Sequence, residues 1–231
     1  MAAWLRGLPV AAPTRNNFRR VLVTAFNFAV EHGYASTNPA EKAAKAKQIE
    51  TSVGILTVTQ TAKLLESANT DILPSISIGA FAGLRRAEIE RLEWSDVNLS
   101  SGYIVVRASK AKSARRRLIK IQPNLRAWLT PHMKLSGKVP PPNFSVRMDE
   151  ARSAAEIHEW PQNALRHSFA SYHLAHFSNA AELALEMGHT NADLIFSSYR
   201  ELVEPATAKN YWKIMPSGAG EKAKANALAA S

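Results

Sequence analysis

The chain has 231 residues, 46 % of them hydrophobic, with 29 Lys and Arg against 19 Asp and Glu and no cysteine. This excludes a disulfide framework, a zinc–thiolate or iron–sulfur site and a cysteine nucleophile. It also supplies enough apolar residues for a real core, so the chain is not a disordered basic tail. The net charge of +10 favours a polyanionic partner, either nucleic acid or an anionic membrane surface.

The N-terminus is broken by Arg6, Pro9 and Pro13 and does not read as a signal peptide. The first clear helix is expected from about Thr14 to His32. Phe18, Val21, Leu22, Ala25, Phe26 and Ala29 follow the helical period, and Arg15, Arg19 and Arg20 lie on the other face. Ser36-Thr-Asn-Pro39 is a turn signal, and the polar, alanine-rich stretch 40–53 reads as a linker. One amphipathic helix has little to pack against, so residues 1–39 read as the end of a larger helical domain.

Thr57 and Gln60 form a capping-box pattern opening a helix to about Ala68. Further helices are expected at 72–82 and 86–93. The first of these, 72-ILPSISIGAFAGL-84, is among the longest apolar stretches, yet it carries serines and a proline and stops at Arg85. It falls short of the roughly 18 to 20 apolar residues that span a bilayer. The segments 103-YIVVRA-108 and 116-RRLIKI-121, the second alternating, read as a β-hairpin joined by a basic turn. Arg107, Lys110, Lys112, Arg115, Arg116, Arg117 and Lys120 crowd there. Their density beside turn chemistry points to phosphate contact. Residues 139–145 are a Pro-rich loop. Helices follow at 146–157, 164–177, 180–187 and 191–198, with Asn179 as a cap and Gly188 as a stop. Tyr211 and Trp212 sit in a segment that can pack as a short helix, and the tail 217–231 reads as flexible. The fold class is α+β, predominantly helical, with one small sheet.

Four pieces carry chemistry in order: 83-GLRRAEIERLEWSDVNL-99, the hairpin with Lys112, 165-LRHSFASYHL-174 and 187-MGHTNADLIFSSYREL-202. Together they resemble the boxes of the tyrosine recombinase, or phage integrase, family over residues 54–216. The resemblance implies that family's catalytic-domain fold with one small antiparallel sheet. It puts the two catalytic arginines on Arg85 and Arg166, a histidine on His189 and the nucleophile on Tyr199. The hairpin lysine falls on Lys112, with Lys110 a close competitor. Arg86, Lys110, Arg115, Arg116 and Arg117 are expected to contact DNA.

The residue types suit the chemistry. Planar guanidiniums donate paired hydrogen bonds to phosphate oxygens, and such preorganised charge stabilises a pentacoordinate phosphorus. A tyrosine hydroxyl, with pKa near 10, needs neighbouring cations or a base to lose its proton. By the resemblance, Lys112 protonates the leaving 5′-oxygen, and a 3′-phosphotyrosyl enzyme forms without metal, cofactor or ATP. Double-stranded DNA is the implied partner. A tetramer forms on two sites, with the segment after Tyr199 exchanged between subunits, and the implied location is a bacterial or phage-related cytoplasm, at the nucleoid.

One position departs from the family pattern: the histidine three residues before the second arginine is replaced by Asn163. An amide can donate to phosphate but is neither acid nor base near neutrality, so cleavage is expected to be reduced. His167 is expected to point to another side of its helix from Arg166, as a structural residue or a secondary neighbour of the site. Glu88, one turn after Arg85, either orients an arginine or forms a surface pair. Among the other tyrosines, Tyr34, Tyr103 and Tyr172 read as structural, and Tyr211 is the rival nucleophile. The alternatives are a DNA-binding remnant without efficient catalysis, which the short N-terminal region also suggests, and a type IB topoisomerase.

Overall fold

A computed structural model describes residues 1–47, 53–107, 116–188, 195, 199 and 203–217. The chain divides into two units, Met1–Thr51 and Ser52–Ser231.

The first unit holds α1 (Ala2–Gly7), which the sequence reading missed, and α2 (Ala12–Glu31), which opens with Pro13 in its first turn. Pro13 has no N–H to lose at that position and its φ is already helical. Arg15 and Arg19, on the face opposite the apolar residues, turn to backbone carbonyls. Arg15 donates to Leu8 at 3.0 Å and Val10 at 3.2 Å, and Arg19 donates to Glu41 at 3.1 Å and to Ala43. Residues 40–47, expected as linker, run back along α2. The Asn16 amide pairs with both backbone groups of Ala46, at 2.9 and 2.8 Å, while Ala40 and Ala43 are buried. Phe18, Val21 and Phe28 stay exposed.

The second unit is built around α4 (Leu73–Ala82), in which every residue is buried. A helix apolar all round belongs at the centre of a domain, and α4 packs between α6 (Pro123–Leu129) and α8 (Ala164–Phe177). The Thr57 capping box forms as expected and opens α3 (Val58–Ser67), with Thr57 Oγ1 accepting from Gln60 N at 3.1 Å and Gln60 Oε1 from Thr57 N at 2.9 Å. The helix expected over 86–93 is only α5 (Arg86–Ile89), because Leu92 and Trp94 make backbone bonds to Val139 and Gly137 instead. A three-stranded antiparallel sheet follows, β1 (Val97–Asn98), β2 (Tyr103–Val106) and β3 (Arg117–Lys120). Ile104 faces Ile119 and Val106 faces Arg117 across β2 and β3. The remaining helices are α7 (Phe144–Ala154), α9 (Ala180–Met187) and α10 (Pro205–Tyr211).

The helix α10 packs on α8 and α3 of its own chain. Tyr211 stacks on Tyr172 with ring centroids 3.9 Å apart, and its hydroxyl donates to the Ala80 carbonyl at 2.6 Å. The helix expected over 191–198 and the tail after 217 lie outside the described residues, apart from Ile195. No helix among the described residues is long and apolar enough to cross a membrane.

Candidate active site

Two helix ends build the site. The first is the end of α4, where Gly83 adopts a left-handed conformation with φ +61°. Glycine takes this conformation without steric cost. A Cβ here would lie 2.2 Å from Phe169 Cδ1, so glycine is also required by packing. The turn leads directly into Arg85 at the start of α5. The second is the end of α9, closed by Gly188 with φ +66°.

Helix C-termini present carbonyls without intrahelical partners and a partial negative charge. Guanidiniums satisfy them here. Arg166 on α8 donates Nη1 to the Gly83 carbonyl at 2.6 Å and Nη2 to the Met187 carbonyl at 2.7 Å. Arg117 on β3 donates Nε to the Glu186 carbonyl at 2.8 Å. The two arginines are thereby fixed by main chain, which leaves their positions little freedom.

Glu88 links the cations. Its carboxylate, 2 % exposed, accepts a two-pronged interaction from Arg117 at 3.0 and 2.7 Å. It also accepts from Arg85 Nη1 at 3.2 Å and from the Arg85 backbone N–H at 2.8 Å. Burial alone would raise the Glu88 pKa, but these bonds and charges outweigh it and hold the group below the usual carboxylate value. Arg85 is therefore oriented by Glu88, and the surface-pair alternative is excluded.

The result is an open cleft of about 480 Å³ lined by Arg85, Arg86, Asn163, Arg166, His167 and Tyr199, among others. Arg166 is buried, and burial followed by repulsion from Arg85 brings its pKa down to about 9. It remains a cation at neutral pH. Tyr199 is buried with its hydroxyl 2.7 Å from His167 Nδ1. Burial raises the Tyr199 pKa, while Arg166 and Arg85 pull it back. Arg85, Arg86 and Arg166 line the cleft against the single carboxylate of Glu90, so it is set for an anion. The N-terminus of the 14-residue α8 adds its own positive end, because Asn163 is the N-cap and Ala164 begins the helix.

Of the expected site residues, Arg85, Arg86, Asn163, Arg166 and Tyr199 come together in this cleft. Lys110, Lys112, Arg115 and His189 lie outside the described residues. Arg116 is exposed beside β3. Arg86 is exposed, bonds Glu90 at 2.8 Å and lies over the Phe144 ring at 5.6 Å. Arg117 requires a correction. It was grouped with the cations that meet DNA, but it is 8 % exposed and engaged with Glu88 and the end of α9. His167, expected on another side of α8 from Arg166 as a structural residue or a secondary neighbour of the site, lines the same cleft as Arg166 and touches Tyr199. The rival Tyr211 is fully buried in the core and its hydroxyl is occupied, as is that of Tyr172, which donates to the Leu56 carbonyl at 3.0 Å.

No protein-family model matches the chain. Over 232 residues it is 25 % identical to the prophage integrase IntR of Escherichia coli K12, covering 80 % of this chain and 56 % of IntR. Over 221 residues it is 25 % identical to the tyrosine recombinase XerC of Vibrio cholerae, covering 82 % of this chain and 70 % of that protein. The chain thus spans little more than half the length of the prophage relative. Among solved structures it resembles λ integrase (residues 75–356) bound to DNA, with TM-score 0.65 and 20 % identity, over 87 % of this chain and 79 % of that one. The λ integrase tetramer on a Holliday junction gives TM-score 0.64 and 19 % identity, over 83 % and 63 %.

The fold is that of a tyrosine-recombinase catalytic domain: predominantly helical with one small antiparallel sheet. The sequence relatives, each 25 % identical, are a prophage integrase and a tyrosine recombinase, so in sequence the chain is similar to members of the tyrosine recombinase, or phage integrase, family.

Proposed function

We propose that the chain is a site-specific DNA recombinase that cleaves and rejoins duplex DNA through a 3′-phosphotyrosyl intermediate. The observation that carries this reading is the Tyr199 hydroxyl lining one cleft with Arg85 and Arg166. In this reading the scissile phosphate enters the cleft, and Arg85 and Arg166 donate to its nonbridging oxygens. Their hold tightens as charge builds on the pentacoordinate phosphorus. Tyr199 Oη attacks phosphorus, and the 5′-oxygen leaves with a proton from the hairpin lysine, Lys112 or Lys110. His189 adds a hydrogen bond to the phosphate. The covalent bond conserves the phosphodiester, so religation needs neither ATP nor metal.

Residues 54–216 form the catalytic domain in this reading. Residues 1–39 are the end of a DNA-gripping helical domain joined by a short connection. Lys110, Arg115, Arg116 and Arg86 hold the flanking phosphates. The working assembly is a tetramer on two DNA sites, as for λ integrase on its junction, and it acts on nucleoid DNA in the cytoplasm.

The test is covalent capture. The chain is incubated with a pool of nicked duplexes of randomised core sequence, built so that cleavage releases a short fragment and traps the adduct. A protein–DNA adduct is expected, and Tyr199→Phe abolishes it. An adduct that persists in Tyr199→Phe assigns the nucleophile wrongly. Asn163 favours a second reading, a DNA-binding remnant. It takes the histidine position, and with its positive φ of 56° it caps α8 through its backbone alone. Duplex binding with no adduct from any member of the pool would select that reading.

A further inference from the structure

We infer that the His167 imidazole accepts the phenolic proton of Tyr199 as that tyrosine attacks phosphorus, making His167 a catalytic residue of the cleft. The inference rests on the reading of Tyr199 as the nucleophile.

Geometry comes first. His167 Nδ1 and Tyr199 Oη are 2.7 Å apart, inside the range for direct proton transfer. The main chain that carries the ring is fixed in α8: His167 N donates to the Asn163 carbonyl at 2.9 Å, and the His167 carbonyl accepts from Ser171 Oγ at 2.9 Å. Tyr199 as a whole residue is only 5 % exposed, and it lines the cleft beside Arg166.

Elimination among the described residues comes second. Arg85, Arg86 and Arg166 line the cleft but have no acceptor. The Asn163 and Gln162 amides have no useful basicity. Glu90 also lines the cleft, with its carboxylate on Arg86 at 2.8 Å. Glu88 is committed to Arg117 and Arg85. Among the described residues, His167 alone has a basic atom on the hydroxyl.

Among the described residues, the charged and titratable groups around the imidazole are Tyr199, Arg166, Arg85, Arg86 and Glu90. Burial, and then the Arg166 charge, hold the His167 pKa below its ordinary 6.5. The ring is therefore neutral at pH 7 and can accept, in its Nε2–H form. Transfer from a buried phenol to so weak a base is uphill in the resting site. It must run together with attack, since Oη loses its proton affinity as it bonds phosphorus.

The balance is then complete. The Tyr199 O–H bond breaks, its proton moves to Nδ1, the Oη–P bond forms and the P–O5′ bond breaks. The 5′-oxygen takes its proton from the hairpin lysine. On religation the 5′-hydroxyl attacks phosphorus and returns its proton to that lysine. Tyr199 leaves and recovers the proton from the imidazolium.

The experiment measures adduct formation against pH on the nicked duplex pool, for the parent chain, His167→Gln, and His167→Ala with and without added imidazole. The parent rate is expected to be level above about pH 6.5 and to fall at lower pH as His167 protonates. His167→Gln is expected to be slower by roughly 10²-fold, to lose that acid fall and to bind the pool as before. Imidazole is expected to restore part of the His167→Ala rate. ¹⁵N NMR of the unmodified chain supplies a readout needing no variant, with Nδ1 unprotonated at pH 7. Parental rates in His167→Gln, an acid fall that survives the substitution, or a protonated Nδ1 overturns the inference and leaves Tyr199 as nucleophile. A parent chain that forms no adduct, or an adduct that persists in Tyr199→Phe, overturns both.

Discussion

Glu88 takes four N–H bonds while almost wholly buried, three from the guanidiniums of Arg117 and Arg85 and one from the Arg85 backbone. Removing one partner of such a buried cluster leaves the other charge uncompensated, at a typical cost of about 3–5 kcal/mol. Glu88→Gln is expected to lose that order of stability in urea unfolding. Glu88→Leu with Arg117→Met removes both charges and fills a similar volume, so it should recover most of the loss. It should not recover adduct formation, because Arg85 then has no carboxylate to orient it. The acid behaviour has a definite sign. The Glu88 pKa is lower folded than unfolded, so its contribution is fully present above the ordinary carboxylate value of 4.5. It disappears as pH falls through the lowered value. Stability of the parent should fall more steeply on acidification than that of Glu88→Gln.

At the level of elements, the site depends on two helices that end in glycine at the right places. Gly83 both ends α4 and offers its carbonyl to Arg166. Gly83→Ala forces a Cβ into Phe169 and a side chain into positive φ. The expected loss is more than about 1 kcal/mol from φ alone, with overlap added. Thermal unfolding measures it, and the adduct rate should fall further than stability requires because Arg166 is displaced.

The long, periodic or capped helices were legible in the sequence: α3 by its capping box, α8 by length and α9 by Asn179 and Gly188. Of the short ones, α10 was anticipated around Tyr211 but α1 and α6 were not. The helices α1 and α6 span fewer than two full turns and β1 has two residues, too few to show a period. The boxes singled out Arg85, Arg166 and Tyr199 by residue type and order, and the fold brings these three to one cleft. Arg117 was misread although its signal was present. In 117-RLIKI-121 the two-residue period puts Arg117 on the face of Ile119 and Ile121, toward the core. Charge density was weighed above alternation. For His167 the one-residue step from Arg166, about 100° around a helix, leaves a structural residue and a neighbour of the site both open, and the fold selects the neighbour. At the N-terminus of α8 the cleft is wide enough to meet both positions.

Across the whole chain, the count of 29 Lys and Arg overstates the cations available to phosphate. Arg117 neutralises Glu88, Arg107 meets the buried Asp96 at 2.6 Å, and Arg15 and Arg19 serve carbonyls of their own unit. Arg147 lies between Asp71 at 3.3 Å and Glu150 at 2.9 Å. Affinity for duplex DNA should therefore fall with salt, but with a slope set by a subset of the basic residues. The neighbours Arg116 and Arg117 separate the two kinds of cation. Arg116 is exposed and Arg117 is buried, although they are adjacent on the chain. Arg116→Ala is expected to weaken binding to random-sequence duplex and to lower the slope of log affinity against log salt by about one. Arg117→Met should leave the slope unchanged and instead lower the unfolding midpoint, because it strips Glu88 of its two-pronged partner. Fluorescence anisotropy titrations between about 50 and 200 mM salt, paired with urea unfolding of both variants, read the two effects separately. Equal slopes for Arg116→Ala and the parent would remove Arg116 from the DNA-contacting set. A reduced slope in a well-folded Arg117→Met would mean that binding DNA draws Arg117 out of its buried pair.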